Sequence, residues 1–213
     1  MKKLNKENKE KIAYYEEVTG KKWDKNATEL YCFYKRLTVL PALPPKLTAL
    51  YCYNNGNLEV LPELPNNLKI LYCYNNRLKV LPKLPSSLKI LYCYNNQLSI
   101  LPKLPYNLKI INCSYNNLEV LPTLPHLLKN IDYSYNPLKI YVEIKGDENY
   151  KYRSNGFIAG EKKYVQMGCR LRLLSEWEKN FWDNNEEFPN DGSEKSNNRY
   201  ERFLKIKNYL DKF

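Results

Sequence analysis

The chain has 213 residues, 43% of them hydrophobic, and a formal net charge of +11. Its length fits a single domain. No apolar run approaches the roughly 18 residues of a membrane span, and the opening Met1-Lys2-Lys3-Leu4-Asn5-Lys6-Glu7 lacks the apolar centre of a signal peptide, so no membrane association is expected and the expected location is cytoplasmic or nuclear.

Residues 1–26 predict a helical N-terminal cap. Leu4, Ile12, Tyr15 and Val18 fall near one helical face, Gly20 suits a helix end, and Trp23 is placed to cover whatever follows. Without a lid, Leu30 and Cys32 at the start of the next segment would meet water.

Residues 27–140 are a tandem repeat. Leu71-Tyr72-Cys73-Tyr74-Asn75-Asn76 recurs almost letter for letter at Leu50 and Leu91, within a unit of 20 or 21 residues. The frame Leu68-x-x-Leu71-x-Cys73-x-x-Asn76-x-Leu78, followed by Leu81-Pro82-x-Leu84-Pro85, holds for five copies, and a degenerate copy at Ala27/Leu30/Cys32/Leu37 precedes them. So short a unit cannot bury an apolar face alone; successive copies must stack into a solenoid, and five good copies exceed the roughly three such an array needs.

Residues 141–213 predict a small α+β segment, either a C-terminal cap packing on the last repeat or a docking piece. Leu138 to Ile144 alternates as a strand, and a second strand is expected through Tyr150–Arg153. Leu171, Leu174, Trp177 and Phe181 give helical spacing with Trp182 adjacent, and Tyr200, Phe203, Leu204 and Leu210 give a second helix after the polar stretch 186–198. In a docking piece, Trp177, Phe181 and Trp182 would be the anchors.

The repeat resembles the leucine-rich repeat, whose core is written L-x-x-L-x-L-x-x-N-x-L. Its paired prolines, as in Leu61-Pro62-Glu63-Leu64-Pro65, look like the short subclass of secreted bacterial effectors. The Tyr/Asn/Lys-rich wording is similar to repeat proteins of large DNA viruses. The resemblance implies an α/β-class solenoid with a curved parallel sheet on its concave side, and a host cell as the place of action if the chain is viral or an effector. Two departures stand out: Cys occupies the third leucine position, and the flanks match no known family.

Alternation along a strand sends Leu71 and Cys73 to one face and Ile70, Tyr72 and Tyr74 to the other. Leucines and cysteines therefore build the core, and strands about 4.8 Å apart line an inner surface about 25 to 30 Å long. Asn55, Asn76, Asn96, Asn116 and Asn136 fall where the chain leaves the strand, where a buried amide can satisfy backbone groups that have lost their ladder; these are expected to be structural. The prolines fix the outer side as extended or polyproline-like, not helical.

Of the six cysteines, Cys32, Cys52, Cys73, Cys93 and Cys113 keep the repeat spacing, and the only histidine is His126. Metal sites need paired ligands two to four residues apart, so the column reads as buried thiols, with a disulfide ladder as the alternative, and no metal or cofactor is expected. An enzyme is not expected either. Some effectors of the resembled subclass carry a cysteine-dependent ubiquitin ligase domain, but Cys169 lacks a nearby base and its segment is too short for that domain.

Charge divides as +3 over residues 1–26, +7 over 27–140 and +1 over 141–213. Lys69, Lys89, Lys109 and Lys129 occupy equivalent positions and predict a basic column. Tyr31, Tyr51, Tyr72 and Tyr92 predict one aromatic row on the concave face, and Phe33, Tyr53, Tyr74 and Tyr94 its neighbour. In the last two copies the rows give way to Asn112/Ser114 and Asp132/Ser134, with Tyr115 and Tyr135 one place later. Three readings fit: a monomeric, non-catalytic module binding a protein or peptide through this face, with Lys69, Lys89 and Lys109 contributing; a basic binder of single-stranded nucleic acid; or a scaffold whose tyrosines were copied by duplication and stack on one another.

Overall fold

A computed structural model of the chain describes residues 15–17, 19–20, 22–144, 154–167, 170–180 and 193–213. Two compact units divide it, Met1–Pro137 and Leu138–Phe213.

The first unit is a leucine-rich repeat solenoid. Its strands are β1 (Glu29–Tyr31), β2 (Ala49–Tyr51), β3 (Ile70–Tyr72), β4 (Ile90–Tyr92), β5 (Ile110–Asn112) and β6 (Asn130–Asp132), paired in parallel in sequence order. Register follows the repeat, with Leu50 opposite Leu71 and Tyr72 opposite Tyr92. Each strand has only three residues, yet backbone pairing runs further: Lys89 N bonds Lys69 O before β4, and Cys73 N bonds Tyr92 O after β3, each at 2.9 Å.

Leu68, Leu71, Cys73 and Leu78 have no exposed surface, and neither do their counterparts Leu88, Leu91, Cys93 and Leu98. A fully buried leucine contributes about 1.5–3 kcal/mol, so each copy depends on its neighbours to cover both sides of its leucine layer. The last copy is more open, with Leu128 and Ile131 half-buried. The Leu-Pro side carries no helix among the described residues. It returns to the next strand through a turn closed by the proline carbonyl, Leu68 N to Pro65 O at 3.0 Å and Leu88 N to Pro85 O at 3.1 Å. The single 21-residue spacing arises at Gly56, an extra residue after Asn55 held at φ 73°, which glycine adopts without steric cost.

At the N-terminal end, Leu4, Ile12 and Val18 lie outside the described residues. Tyr15–Glu17 and Thr19 are helical, Gly20 (φ 67°) ends the turn with its N–H on Glu16 O at 2.9 Å, and Trp23 packs edge-on against buried Tyr15 at 4.9 Å.

The second unit pairs β7 (Tyr141–Ile144), β8 (Ser154–Ala159), β9 (Lys162–Met167) and β10 (Arg170–Leu173) in one antiparallel sheet, with α1 (Leu174–Asn180) and α2 (Glu194–Leu210). Among the described residues this unit has four strands where the spacing predicts two, and the predicted strand Tyr150–Arg153 lies outside the described residues. Gly160 (φ 60°) turns β8 into β9, and faces buried in patches blur the alternation that would have marked both. Leu171 belongs to β10, because its backbone pairs with Gln166, and the helix begins only at Leu174. Trp177 is no free anchor either: it is buried in this unit's core with Val165, Met167, Phe203 and Ile206, and its indole N–H donates to Val165 O at 2.8 Å. Phe181, Trp182 and Cys169 lie outside the described residues.

Candidate functional site

The solvent side of the six-stranded sheet brings three rows of side chains together. The first is Glu29, Ala49, Ile70, Ile90, Ile110 and Asn130. The second is Tyr31, Tyr51, Tyr72, Tyr92, Asn112 and Asp132, and both follow directly from the strand register. Two residues beyond the second row runs the third: Phe33, Tyr53, Tyr74, Tyr94, Ser114 and Ser134. The isoleucines flank the rings and are half-buried, so they widen the apolar centre beyond the tyrosines that composition singles out.

The rings stack on one another. Phe33, Tyr53, Tyr74 and Tyr94 form an unbroken column with centroids 4.7, 4.5 and 4.4 Å apart and planes within 9° of parallel. In the second row Tyr31 stacks on Tyr51 at 4.7 Å and Tyr72 on Tyr92 at 4.7 Å, while Tyr51 meets Tyr72 edge-on at 5.2 Å. Strand spacing near 4.8 Å matches offset stacking, so in-register aromatic rows close up and become half-buried. Burial, with the neighbouring Tyr94 and Tyr53 phenols, raises the Tyr74 hydroxyl to about 12. At the far end the Tyr31 hydroxyl donates to Glu29 Oε2 at 2.6 Å, and that bond raises its pKa to about 12.

A fourth row follows, Tyr34, Asn54, Asn75, Asn95, Tyr115 and Tyr135, all at φ between 52° and 56°. Asparagine tolerates this left-handed conformation better than most residues. Its side chains chain together here, Asn95 Nδ2 donating to Asn75 Oδ1 at 2.8 Å and Asn75 Nδ2 to Asn54 Oδ1. Tyr115 and Tyr135 take the same strained position with rings stacked at 4.2 Å and largely exposed.

Beneath the face, Asn55, Asn76, Asn96, Asn116 and Asn136 tie the turns together. Each amide nitrogen donates to the Cys carbonyl of the preceding repeat and to the carbonyl three residues before its own position, as Asn76 does to Cys52 O and Cys73 O at 3.0 and 2.9 Å. The Asn55 oxygen accepts from Lys35 N and Leu37 N, which holds the degenerate first copy although it lacks its own asparagine.

Lys69, Lys89, Lys109 and Lys129 stand one residue before the strands, exposed, along one margin of the face. Their backbones are linked at 2.8–2.9 Å, which fixes the column spacing. The thiols lie on the opposite side of the sheet: Cys32, Cys52, Cys73, Cys93 and Cys113 are fully buried. Burial drives the Cys93 thiol up to about 12 and Cys52, Cys73 and Cys113 well above their ordinary value, so none of these four is a thiolate or a nucleophile near neutral pH. Among the described residues no cluster of three or more His, Cys, Asp or Glu could hold a metal ion, and no helix is long and apolar enough to cross a membrane.

The chain is similar in structure to the leucine-rich-repeat domain of a Shigella effector, at 36% identity and a TM-score of 0.53 over 70% of this chain and 65% of that one. It is similar also to YopM of Yersinia enterocolitica, at 36% identity and 0.53 over 63% of this chain and 30% of that one. A third likeness is to YopM of Yersinia pestis, a leucine-rich effector protein, at 39% identity and 0.54 over 65% and 39%. The chain spans less than two thirds of each. No protein-family model and no curated protein sequence matches it.

Proposed function

We propose that the repeat unit is a non-catalytic protein-interaction module whose binding face is the strand side bearing Tyr31, Phe33, Tyr51, Tyr53, Tyr72, Tyr74, Tyr92 and Tyr94, with Lys69, Lys89 and Lys109 along its margin. The likeness to effector repeat proteins supports the module and a host cell as its place of action. The observation that carries the choice of face is the unbroken column from Phe33 to Tyr94. Stacked, half-buried rings are pre-organised, so a partner gains aromatic contact area at little cost in side-chain entropy.

The same stacking disfavours single-stranded nucleic acid running along the rows, because parallel rings 4.4–4.7 Å apart leave no slot for a base between neighbours and a free ring face only at the ends. A pull-down from cell lysate with the full chain, repeated with Tyr53, Tyr74 and Tyr94 changed to Ser, tests the proposal. The captured protein set should shrink in the variant and survive moderate salt. An unchanged set would sink the proposal, and capture that disappears steeply with ionic strength and with nuclease treatment would favour nucleic acid instead.

A further inference from the structure

The aromatic rows end abruptly, and their end has its own geometry. Strand register puts Asn112 and then Asp132 where the next two rings of the Tyr92 row would stand, and Ser114 and Ser134 succeed Tyr94. None of these side chains takes the place of a ring. Asn112 Oδ1 is folded back on its own strand, accepting from Ser114 N at 3.0 Å and Ser114 Oγ at 2.7 Å. Asp132 Oδ1 accepts the equivalent pair from Ser134 at 3.1 and 2.7 Å, and Asp132 Oδ2 accepts from Asn112 Nδ2 at 3.3 Å. The C-terminal faces of Tyr92 and Tyr94 therefore lack the ring that follows Tyr72 and Tyr74 in their stacks. Beyond them lies a step one to two strands wide, about 5–10 Å, floored by the half-buried Asn112 amide, with Ser114 buried beneath, and closed by the exposed Asp132 carboxylate.

Asp132 is also out of character with its surroundings. Among the three rows of the face, the other carboxylate is Glu29 at the opposite end, already engaged by the Tyr31 hydroxyl. Asp132 is exposed and keeps lone pairs on Oδ2 to spare.

We infer that this step is a subsite for an arginine side chain of the partner protein, its guanidinium laid against the outer faces of Tyr92 and Tyr94 with its N–H groups on the Asp132 carboxylate. Guanidinium is planar and cationic, so it continues an aromatic stack and satisfies a carboxylate in the same pose. Lysine's compact ammonium cannot lie flat on the rings while meeting Asp132. A phenylalanine ring could lie flat but would cover the carboxylate without giving it a donor, and a tyrosine or tryptophan offers a single neutral donor where guanidinium offers a charged pair. Lys109 and Lys129 stand three residues upstream on the two strands, about 10 Å away, where physiological salt screens most of their repulsion. The subsite rests on the strand face being the binding face.

The test titrates the isotope-labelled full chain with N-acetyl-arginine methylamide, and in parallel with the lysine and citrulline analogues, following backbone amide resonances. Saturable shifts at Asn112, Ser114 and Asp132 are expected with arginine. They should weaken about tenfold with lysine or citrulline, and also in Asp132→Asn, a change that keeps an acceptor for Ser134 but gives up the bond from Asn112 Nδ2, so its shifts are read against the variant's own ligand-free spectrum. Equal response to arginine and lysine, an unaltered response in Asp132→Asn, or no saturable shift overturns the subsite. Pull-down then separates the two proposals: if Tyr53, Tyr74 and Tyr94 matter but Asp132→Asn captures the same partners equally well, the subsite falls and the face stands.

Discussion

Asn96 Nδ2 donates to Cys73 O at 3.0 Å, so the side chain of one repeat is bonded to the backbone of the repeat before it. The same nitrogen reaches Cys93 O at 3.1 Å, and Asn96 Oδ1 accepts from Leu78 N at 3.0 Å. Asn96→Ala leaves the buried Leu78 N–H without its acceptor, while Cys73 O and Cys93 O each lose one of two donors and keep the Asn76 and Asn116 amides, so the expected loss is on the order of 2–3 kcal/mol. Asn136→Ala, at a half-buried position where water can replace the amide, should cost clearly less. Urea unfolding of both variants compares them directly; equal losses would mean that burial of the ladder does not set its worth.

The aromatic column makes a different kind of contribution. Tyr74 stacks on two rings, Tyr53 and Tyr94, whereas Tyr94 stacks on Tyr74 alone. With about 0.5–1.5 kcal/mol per aromatic pair, Tyr74→Ser should destabilise the unit by about 1 kcal/mol more than Tyr94→Ser. The reverse order would show that the rings are held by something other than each other.

Much of the first unit was legible in the sequence because one period governs everything. Leu68, Leu71 and Cys73 repeat at strand spacing, so their burial and the order of six parallel strands follow from stacking alone. What stayed hidden depends on how side chains meet across strands. Alternation places Tyr72 and Tyr74 on the solvent side and allows neighbouring rings to stack, but how closely they meet Tyr92 and Tyr94, and the half-burial that results, depend on the match between strand spacing and ring stacking. The fold-back of Asn112 and Asp132 onto their serines was equally invisible, since it rests on Asx-type bonds two residues along the chain. The second unit has no repeat to amplify a weak signal. There Leu171 looked helical by its spacing to Leu174, and backbone pairing with Gln166 overrode that pattern.

Buried thiols give the repeat unit an alkaline limit. A thiol whose folded pKa is raised keeps its proton when the unfolded chain has already lost it, so the stability present below the unfolded pKa is lost as pH rises towards the folded one. For Cys93 the window runs from the ordinary 9.0 to about 12, and Cys52, Cys73 and Cys113 shift in the same direction. Each thiol removes about 1 kcal/mol per pH unit in that window. Urea midpoints should hold level from neutrality to about pH 8 and fall steeply above 9. Cys93→Ala, smaller and non-titrating, should be less stable at pH 7 but lose stability more slowly with pH; an identical slope would show that Cys93 is not part of the effect.

In the second unit the helix α2 packs directly over Gly156 on β8, leaving no room for a side chain. A Cβ at Gly156 would lie 2.3 Å from Ile206 Cγ2 and 3.0 Å from Leu210 Cδ1. Neither atom can swing away, because both belong to fully buried side chains in the core shared with Trp177 and Phe203. The backbone at Gly156 needs no left-handed conformation, so the demand is for space alone. Gly156→Ala should therefore force α2 off the sheet and cost about 1–3 kcal/mol, the usual range for overpacking a filled core. Ile206→Ala removes the obstructing methyl at a cost of its own, about 2–5 kcal/mol. If the clash is the cause, the double variant will be markedly more stable than the two single losses predict. Additivity to within about 0.5 kcal/mol would show that the alanine and Ile206 never compete for the same space.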